Sequence, residues 1–360
     1  MKLVIFGLSL SSSWGNGHAT LWRGLCRALI VRGHQVVFFE RETEYYSAHR
    51  DLHELAGGSL VFYTLWEDVE DRARRELAEA DVAIITSYCA DALAAGELAG
   101  WSSALRVFYD LDTPVTLARL ARGESLDYIG ERGLRDFDLV LSYTGGRALA
   151  ALQSELGAAR VAPLYGSVDA GEHHPVRPRE TYRADLSYLG TFAADRQRAL
   201  EELFIAPALA QPDSRFVMGG AQYPAEFPWA TNIHFVRHLP PSEHPAFYCS
   251  SRLTLNVTRA AMAASGYCPS GRLFEAAACG VPIISDSWEG LDEFFTPGRE
   301  LLIAETAEDV LSYLTLSHAE LSAMATAARE RVLREHTATH RAAELEELLQ
   351  GVTRRDVAAT

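Results

Sequence analysis

The sequence predicts an α/β protein made of two consecutive doubly wound parallel-sheet domains, followed by C-terminal helices. Three observations predict it. Apolar runs of strand length alternate with amphipathic helical stretches, the pattern of a parallel sheet covered on both faces. The series breaks at a polar segment with two prolines, GEHHPVRPRETYR (171–183), and then begins again; such composition marks a linker. Across 306–350 Ala, Glu, Arg and Leu dominate and no strand signal survives. The length of 360 residues suits two domains at roughly 100–200 residues each. The expected boundaries are 1–170 and 183–335, with a helical tail at 336–360 packing back on the first domain.

The first series opens with KLVIFGLS (2–9), a continuous apolar run. The next stretch repeats Trp22, Leu25, Cys26 and Leu29 at i, i+3, i+4 and i+7, which is helical spacing. Gly33 then suits a left-handed C-cap. QVVFFE (35–40), LVFYT (60–64), VAIITS (82–87), LRVFYD (105–110) and DLVLSY (138–143) read as further strands, and RVAPLYGSVD (160–169) closes the unit. The second series runs through DLSYLG (185–190), RFVMGG (215–220), IHFVRHL (233–239), LTLNVT (253–258) and PIISD (282–286). Two such units place ligands at the carboxyl ends of their strands, in a cleft.

Composition narrows the function classes. The formal net charge is −15, and a field of that sign repels nucleic-acid backbones and anionic membranes. Five scattered cysteines, none in CxxC spacing, argue against a disulfide framework or a zinc site and for a reducing compartment. The apolar N-terminal run is short for a signal peptide and lacks a convincing cleavage site. No stretch approaches the roughly 20 apolar residues of a membrane span. A cytoplasmic protein is expected.

The most informative stretch is SGYCPSGRLFEAAACGVPIISD (265–286). Ser270 and Gly271 precede a short helix, about 271–279, that ends at Gly280 before Pro282 and a buried strand. A small loop at a helix N-terminus presents free backbone N–H groups at the positive end of the dipole and suits a diphosphate. Glu275, about one turn in, can accept both hydroxyls of a ribose. Arg259, Arg196 and Arg272 are candidate phosphate partners, since guanidinium suits bidentate phosphate contact without a metal. Gly190 and Thr191, with Tyr188, end the first strand of this half and are expected to face the ligand.

This stretch resembles the donor-binding motif of the GT-B glycosyltransferases, a Glu-Ala-x-Ala-x-Gly-x-Pro segment, in Glu275, Ala276, Ala278, Gly280 and Pro282. More closely, the chain resembles the spore-maturation (CgeB-like) glycosyltransferases. SWGNGHAT, RGHQVVFFERE, FYDLDTP, DLSYLGTFAADRQ and REHTATHRAAELEELL carry that likeness. The resemblance implies a GT-B architecture of two Rossmann-like domains facing across a cleft, with the nucleotide sugar in the C-terminal half. Retaining members often carry a second glutamate eight positions before the ribose-binding one; here that position is Tyr267, so their stereochemistry does not transfer directly.

In the N-terminal half, SSSWGNGHAT (11–20) follows the first strand. Gly15 and Gly17 let the backbone turn, and His18 starts the first helix. The third glycine of a dinucleotide fingerprint is absent, since position 20 is Thr; Glu40 alone could mimic the ribose acid of an NAD-dependent dehydrogenase. The family resemblance makes His18 the general base on an acceptor hydroxyl, as its imidazole pKa allows. Asp110 and Asp112, in FYDLDTP, could orient it, Asp112 the better placed, although Asp112 could equally cap the helix that begins at Pro114. Trp14, Gly15, Asn16, Gly17 and Asp110 fall on the acceptor side, with Tyr45, Tyr46 and His49 near the same rim. Tyr143, Gly145 and Gly146 end another strand, and His173 and His174 are expected to be solvated.

The expected function is metal-independent transfer of a hexosyl group from a nucleotide-diphosphate sugar, UDP or dTDP, to a hydroxyl acceptor. No bound cofactor, nucleic-acid partner or metal is expected. Two alternatives stand beside it: a nucleotide-sugar epimerase or hydrolase on the same fold, which would convert donor without acceptor, and a non-catalytic spore-coat-type binding protein. The missing upstream glutamate, together with His18, leans toward inversion.

Overall fold

The computed structural model describes residues 1–359, with side chains to Val352. Met1–Tyr165, joined by the chain from Ala338 onward, forms one compact unit, and Gly166–Thr337 forms a second.

The first unit is built on seven parallel strands: β1 (Lys2–Phe6), β2 (Gln35–Arg41), β3 (Ser59–Tyr63), β4 (Val82–Thr86), β5 (Leu105–Asp110), β6 (Leu139–Ser142) and β7 (Val161–Pro163). Their order is β3-β2-β1-β4-β5-β6-β7. Each strand's apolar run is continuous because both faces are covered. In β1, Leu3 and Ile5 join the core that contains Trp22 and Leu25, while Val4 and Phe6 join the opposite core with Phe39 and Phe108. The helix His18–Val31 seals the first of these faces. The terminal helix Ala338–Ala359 lies against it, adding Ala342, Leu345 and Leu349 to the same core. Arg32 and His34 both reach Glu346 at 2.6 Å, so a polar clamp accompanies the apolar contact.

The second unit contains β8 (Ala184–Leu189), β9 (Phe216–Gly220), β10 (Ile233–Arg237), β11 (Ser251–Asn256), β12 (Ile283–Ser285) and β13 (Leu302–Ile303), in the order β10-β9-β8-β11-β12-β13. The two-residue β13 is too short to leave a periodic signal in the sequence. The helix Gly271–Cys279 ends at Gly280 in the left-handed conformation, φ +73°, a position where a Cβ would be strained. The polar segment 171–183 belongs to this unit. It is held by backbone amides, Val176 N to Cys249 Sγ at 3.3 Å and Arg179 N to Ser250 Oγ at 2.8 Å. Among the described residues all five cysteines are free thiols, and no helix is long and apolar enough to cross a membrane.

Candidate functional site

In each sheet the strand order reverses once. The reversal falls between β1 and β4 in the first unit and between β8 and β11 in the second. Connections leaving such a point diverge to opposite faces and open a crevice at the carboxyl ends of the strands. The sequence-predicted site residues lie largely on these connections.

In the first unit a buried acid holds the loop after β1. Glu40, 2 % exposed at the end of β2, accepts from the Ser9 hydroxyl (2.8 Å), the Leu10 and Ser11 amides (2.7 and 2.9 Å) and the Ser11 hydroxyl (2.5 Å). Four donors fill its acceptor sites, so it has no capacity left for a ribose and the dinucleotide reading loses its acid. Asn16 completes the loop: its amide nitrogen donates to Ser9 O and Ser12 O, and its oxygen accepts the His18 amide at 3.0 Å. That last bond caps the first helix. Gly15 sits at φ +59° and needs to be glycine. Gly17 does not: its φ is −69° and a Cβ there would meet nothing within 4 Å, which corrects the expected turn role of that position. Trp14 stacks on His49 with ring centroids 4.0 Å apart, and Tyr45 packs edge-on to Tyr46.

His18 and Asp112 come together. Nε2 of His18 is 3.6 Å from Oδ2 of Asp112. Asp112 occupies the N-cap position of the helix Thr113–Ala121, yet its side chain makes no capping bond; the carboxylate turns toward the histidine. The Tyr88 hydroxyl donates to the same oxygen at 2.9 Å, and the Tyr88 ring lies near-parallel to His18 at 6.1 Å. Tyr88 follows β4 at φ +65°, a strained backbone for an aromatic residue. Sequence reasoning missed it, because nothing in TSYCAD marks the turn. Burial, then the Asp112 charge, pushes its phenol well above the ordinary value, so it is a lasting donor. Asp110 lies beneath, fully buried, accepting from the Thr116 hydroxyl (3.1 Å) and the Asp112 amide (3.2 Å). Burial pushes its carboxyl up to about 6.

In the second unit two guanidinium groups converge over a glycine. A Cβ on Gly190 would lie 2.7 Å from the Tyr188 hydroxyl and 3.0 Å from Nη1 of both Arg196 and Arg272, so only glycine leaves this space open. Arg272 is pinned by two backbone carbonyls and a hydroxyl: Nη1 donates to Leu189 O (2.6 Å), Nη2 to Val257 O (3.0 Å) and Nε to Ser270 Oγ (3.1 Å). Arg196 donates to the Tyr188 hydroxyl at 2.9 Å. Tyr188 is fully buried rather than lining open space. Burial alone would raise its phenol, but Arg196 and Arg272 together hold it below the ordinary value, which reports a strongly positive local field. Thr191 follows, its carbonyl 3.5 Å from Arg196 Nη1. Arg259, just past β11, pairs with Asp195 at 3.2 Å. Ser270 is the N-cap of the Gly271–Cys279 helix, and its hydroxyl serves Arg272 instead of the helix amides. Helix N-terminal amides lack helical partners and are available to an anion.

Glu275 lies one turn into this helix and is only 5 % exposed. Its oxygens are 3.9 Å from His173 Nε2 and 3.5 Å from His244 Nδ1. His173 is therefore not solvated as expected; it is 4 % exposed, turned inward against the carboxylate, while His174 stays at the surface. Burial holds the His173 imidazole below its usual value, so it is neutral at pH 7. Neither His244 nor the burial of His173 has a motif signal. Tyr267, where the second glutamate of retaining enzymes is absent, sits at φ +48°. Its ring occupies the space a side chain at Gly290 would need, 2.5 Å from that Cβ.

Residues 196–347 match the model of the Glycosyl transferase-like family. Curated protein sequences give no match. Solved structures give many. The sucrose-phosphate synthase from Thermosynechococcus elongatus superposes with a TM-score of 0.69 at 14 % identity, covering 100 % of both chains. Anabaena HepE in complex with UDP and glucose gives 0.66 at 13 %, covering 97 % of this chain and 99 % of that one. An alpha-glucosyltransferase in complex with UDP and a 13-mer DNA gives 0.68 at 13 %, with the same coverages. The chain thus has the GT-B fold over its whole length, and its 196–347 segment is glycosyl transferase-like.

Proposed function

We propose that this protein is a metal-independent glycosyltransferase that moves a hexosyl group from a UDP- or dTDP-sugar to a hydroxyl acceptor. The observation that carries the reading is the nest of the second unit, where Arg196 and Arg272 converge over Gly190 beside the N-terminus of the helix that bears Glu275. The diphosphate would bind the guanidinium groups and the Ser270–Gly271 amides, and Glu275 would accept the ribose hydroxyls. Arg259 would add charge once released from Asp195. The bound UDP of HepE supports this class of donor.

In the reaction the bond from the sugar C1 to the β-phosphate oxygen breaks, and its electron pair leaves with the nucleoside diphosphate. Fixed positive charge stabilises that leaving group without a metal. The acceptor oxygen forms the new bond to C1 and gives its proton to His18. With Nε2 of His18 turned to Asp112, Nδ1 is the proton-accepting nitrogen. Trp14 and His49 offer a stacked face for the acceptor. A DNA acceptor is disfavoured by the net charge of −15. The free thiols suit the cytoplasm, and the motif likeness supports a spore-maturation-type reading.

The test is a thermal-shift panel of UDP, dTDP, GDP, ADP and NAD on wild type and Glu275→Gln. UDP or dTDP should raise the melting temperature of the wild type, and Glu275→Gln should lose most of that shift. A shift with NAD alone, or one indifferent to Glu275, would remove the donor site from consideration.

A further inference from the structure

His173, His244 and Glu275 bring one ligand-type atom each within 4.8 Å of one another. They come from the 171–183 segment, the start of the helix His244–Cys249 and the middle of the helix Gly271–Cys279. Neither ring nitrogen of the buried His173 has a hydrogen-bond partner. His244 Nε2 stands 3.3 Å from Leu239 O. A carbonyl only accepts, so Nε2 carries the proton, and in the neutral imidazole Nδ1 then presents a bare lone pair. That lone pair, itself without a partner, faces a carboxylate oxygen at 3.5 Å. Acceptor against acceptor in a buried site is unfavourable, and a positive species between them relieves it.

We propose that His173, His244 and Glu275 form a binding site for a late first-row divalent cation, with Zn²⁺ as its representative. Two imidazoles and one carboxylate are a donor set these borderline ions favour. Two ligands at about 2.0–2.1 Å and a tetrahedral angle stand roughly 3.4 Å apart. The observed 3.5 and 3.9 Å run to the two different carboxylate oxygens, and one atom from each residue lies within 4.8 Å of the others, so a closure of up to about 1.4 Å brings them to tetrahedral spacing. The carbonyl behind His244 is the outer-shell partner that fixes a metal-binding tautomer. The segments carrying the two histidines also line a depression of about 410 Å³ bearing Glu172, His174, Arg177, Arg179 and Ser242. The site shares Glu275 with the proposed ribose contact, so cation and nucleotide exclude one another; that consequence alone rests on the donor reading.

The experiment titrates chelator-treated full-length protein with Zn²⁺ by calorimetry, in the absence of nucleotide, and follows Co²⁺ by its visible absorption. One ion per chain is expected. His173→Phe and His244→Gln should each weaken it at least about 30-fold, and Cys249→Ser should leave it unchanged. No binding by wild type, wild-type affinity in whichever histidine variant folds, or loss in Cys249→Ser would each overturn the site. A metal-free UDP thermal shift on wild type and His173→Phe reads the donor separately. Zinc binding without a UDP shift sinks only the donor reading, and a UDP shift without zinc binding sinks only this one.

Discussion

His18 Nε2 stands 3.6 Å from Asp112 Oδ2, the histidine opening the helix after β1 and the aspartate in the turn after β5. The aspartate is the N-cap residue of its helix by position but not by bonding. A carboxylate in a strong capping position that forgoes the cap is oriented by something else, here the imidazole and the Tyr88 hydroxyl at 2.9 Å. The pair has the arrangement of a base and its orienting acid.

His18→Ala should therefore lower kcat by roughly 10²–10⁴-fold, with little change in the affinity for UDP. Asp112→Asn should lower kcat by a smaller factor, and the double variant should be no worse than His18→Ala, because the two act as one unit. The readout is acceptor-dependent release of nucleoside diphosphate. Were Asp112 only a cap, Asp112→Asn would keep its activity, and Asp112→Ala would reduce stability by about 1 kcal/mol.

Glu40→Gln tests the loop clamp. Gln retains one acceptor oxygen and adds two N–H donors, so some of the four groups now bound to Glu40 lose their partner while buried. Unmet buried donors cost about 1–3 kcal/mol, and chemical denaturation should show a loss of that order. NAD should leave the melting temperature of both proteins unmoved. An NAD shift in wild type that vanished in Glu40→Gln would restore the dinucleotide reading.

The strands other than β13 and the helix Gly271–Cys279 were legible because continuous apolar runs and the Gly280–Pro282 stop are local signals. The helix at Gly271–Cys279 falls where the residues 270–280 place it. The pairing of Asp112 with His18 was legible only as a choice between cap and orienter, since one N-terminal sequence serves both. Tyr88 and His244 were not legible. Tyr88 depends on a left-handed backbone that its neighbours impose, and His244 meets Glu275 through packing of two helices 31 residues apart in sequence, 244 to 275. His173 looked solvated because its surroundings are polar. Composition describes a segment, whereas burial depends on which single side chain turns inward.

Gly190→Ala should disable nucleotide binding with modest loss of fold. The new methyl would displace the ends of Arg196 and Arg272 and press on the Tyr188 hydroxyl at 2.7 Å. The arginine ends can move, but only by surrendering the geometry that a diphosphate would use. A fall in UDP affinity of at least about tenfold, or 1.4 kcal/mol, is expected by calorimetry. Wild-type affinity in a folded Gly190→Ala protein would show that the diphosphate binds elsewhere.

Asp110 makes the stability of the fold depend on pH. Its carboxyl is raised from 3.8 to about 6 by full burial, so the folded state holds a proton that the unfolded chain releases earlier. The contribution is fully present below about pH 4 and is lost as pH rises through about 6. That rise corresponds to roughly 3 kcal/mol. Asparagine cannot ionise and retains the oxygen that accepts from Thr116 and the Asp112 amide. The stability of Asp110→Asn relative to wild type should therefore rise by about 2–3 kcal/mol between pH 4 and 7 and stay flat above that. Urea denaturation at a series of pH values measures the difference directly. Parallel profiles for the two proteins would mean that Asp110 ionises as easily in the fold as in the unfolded chain.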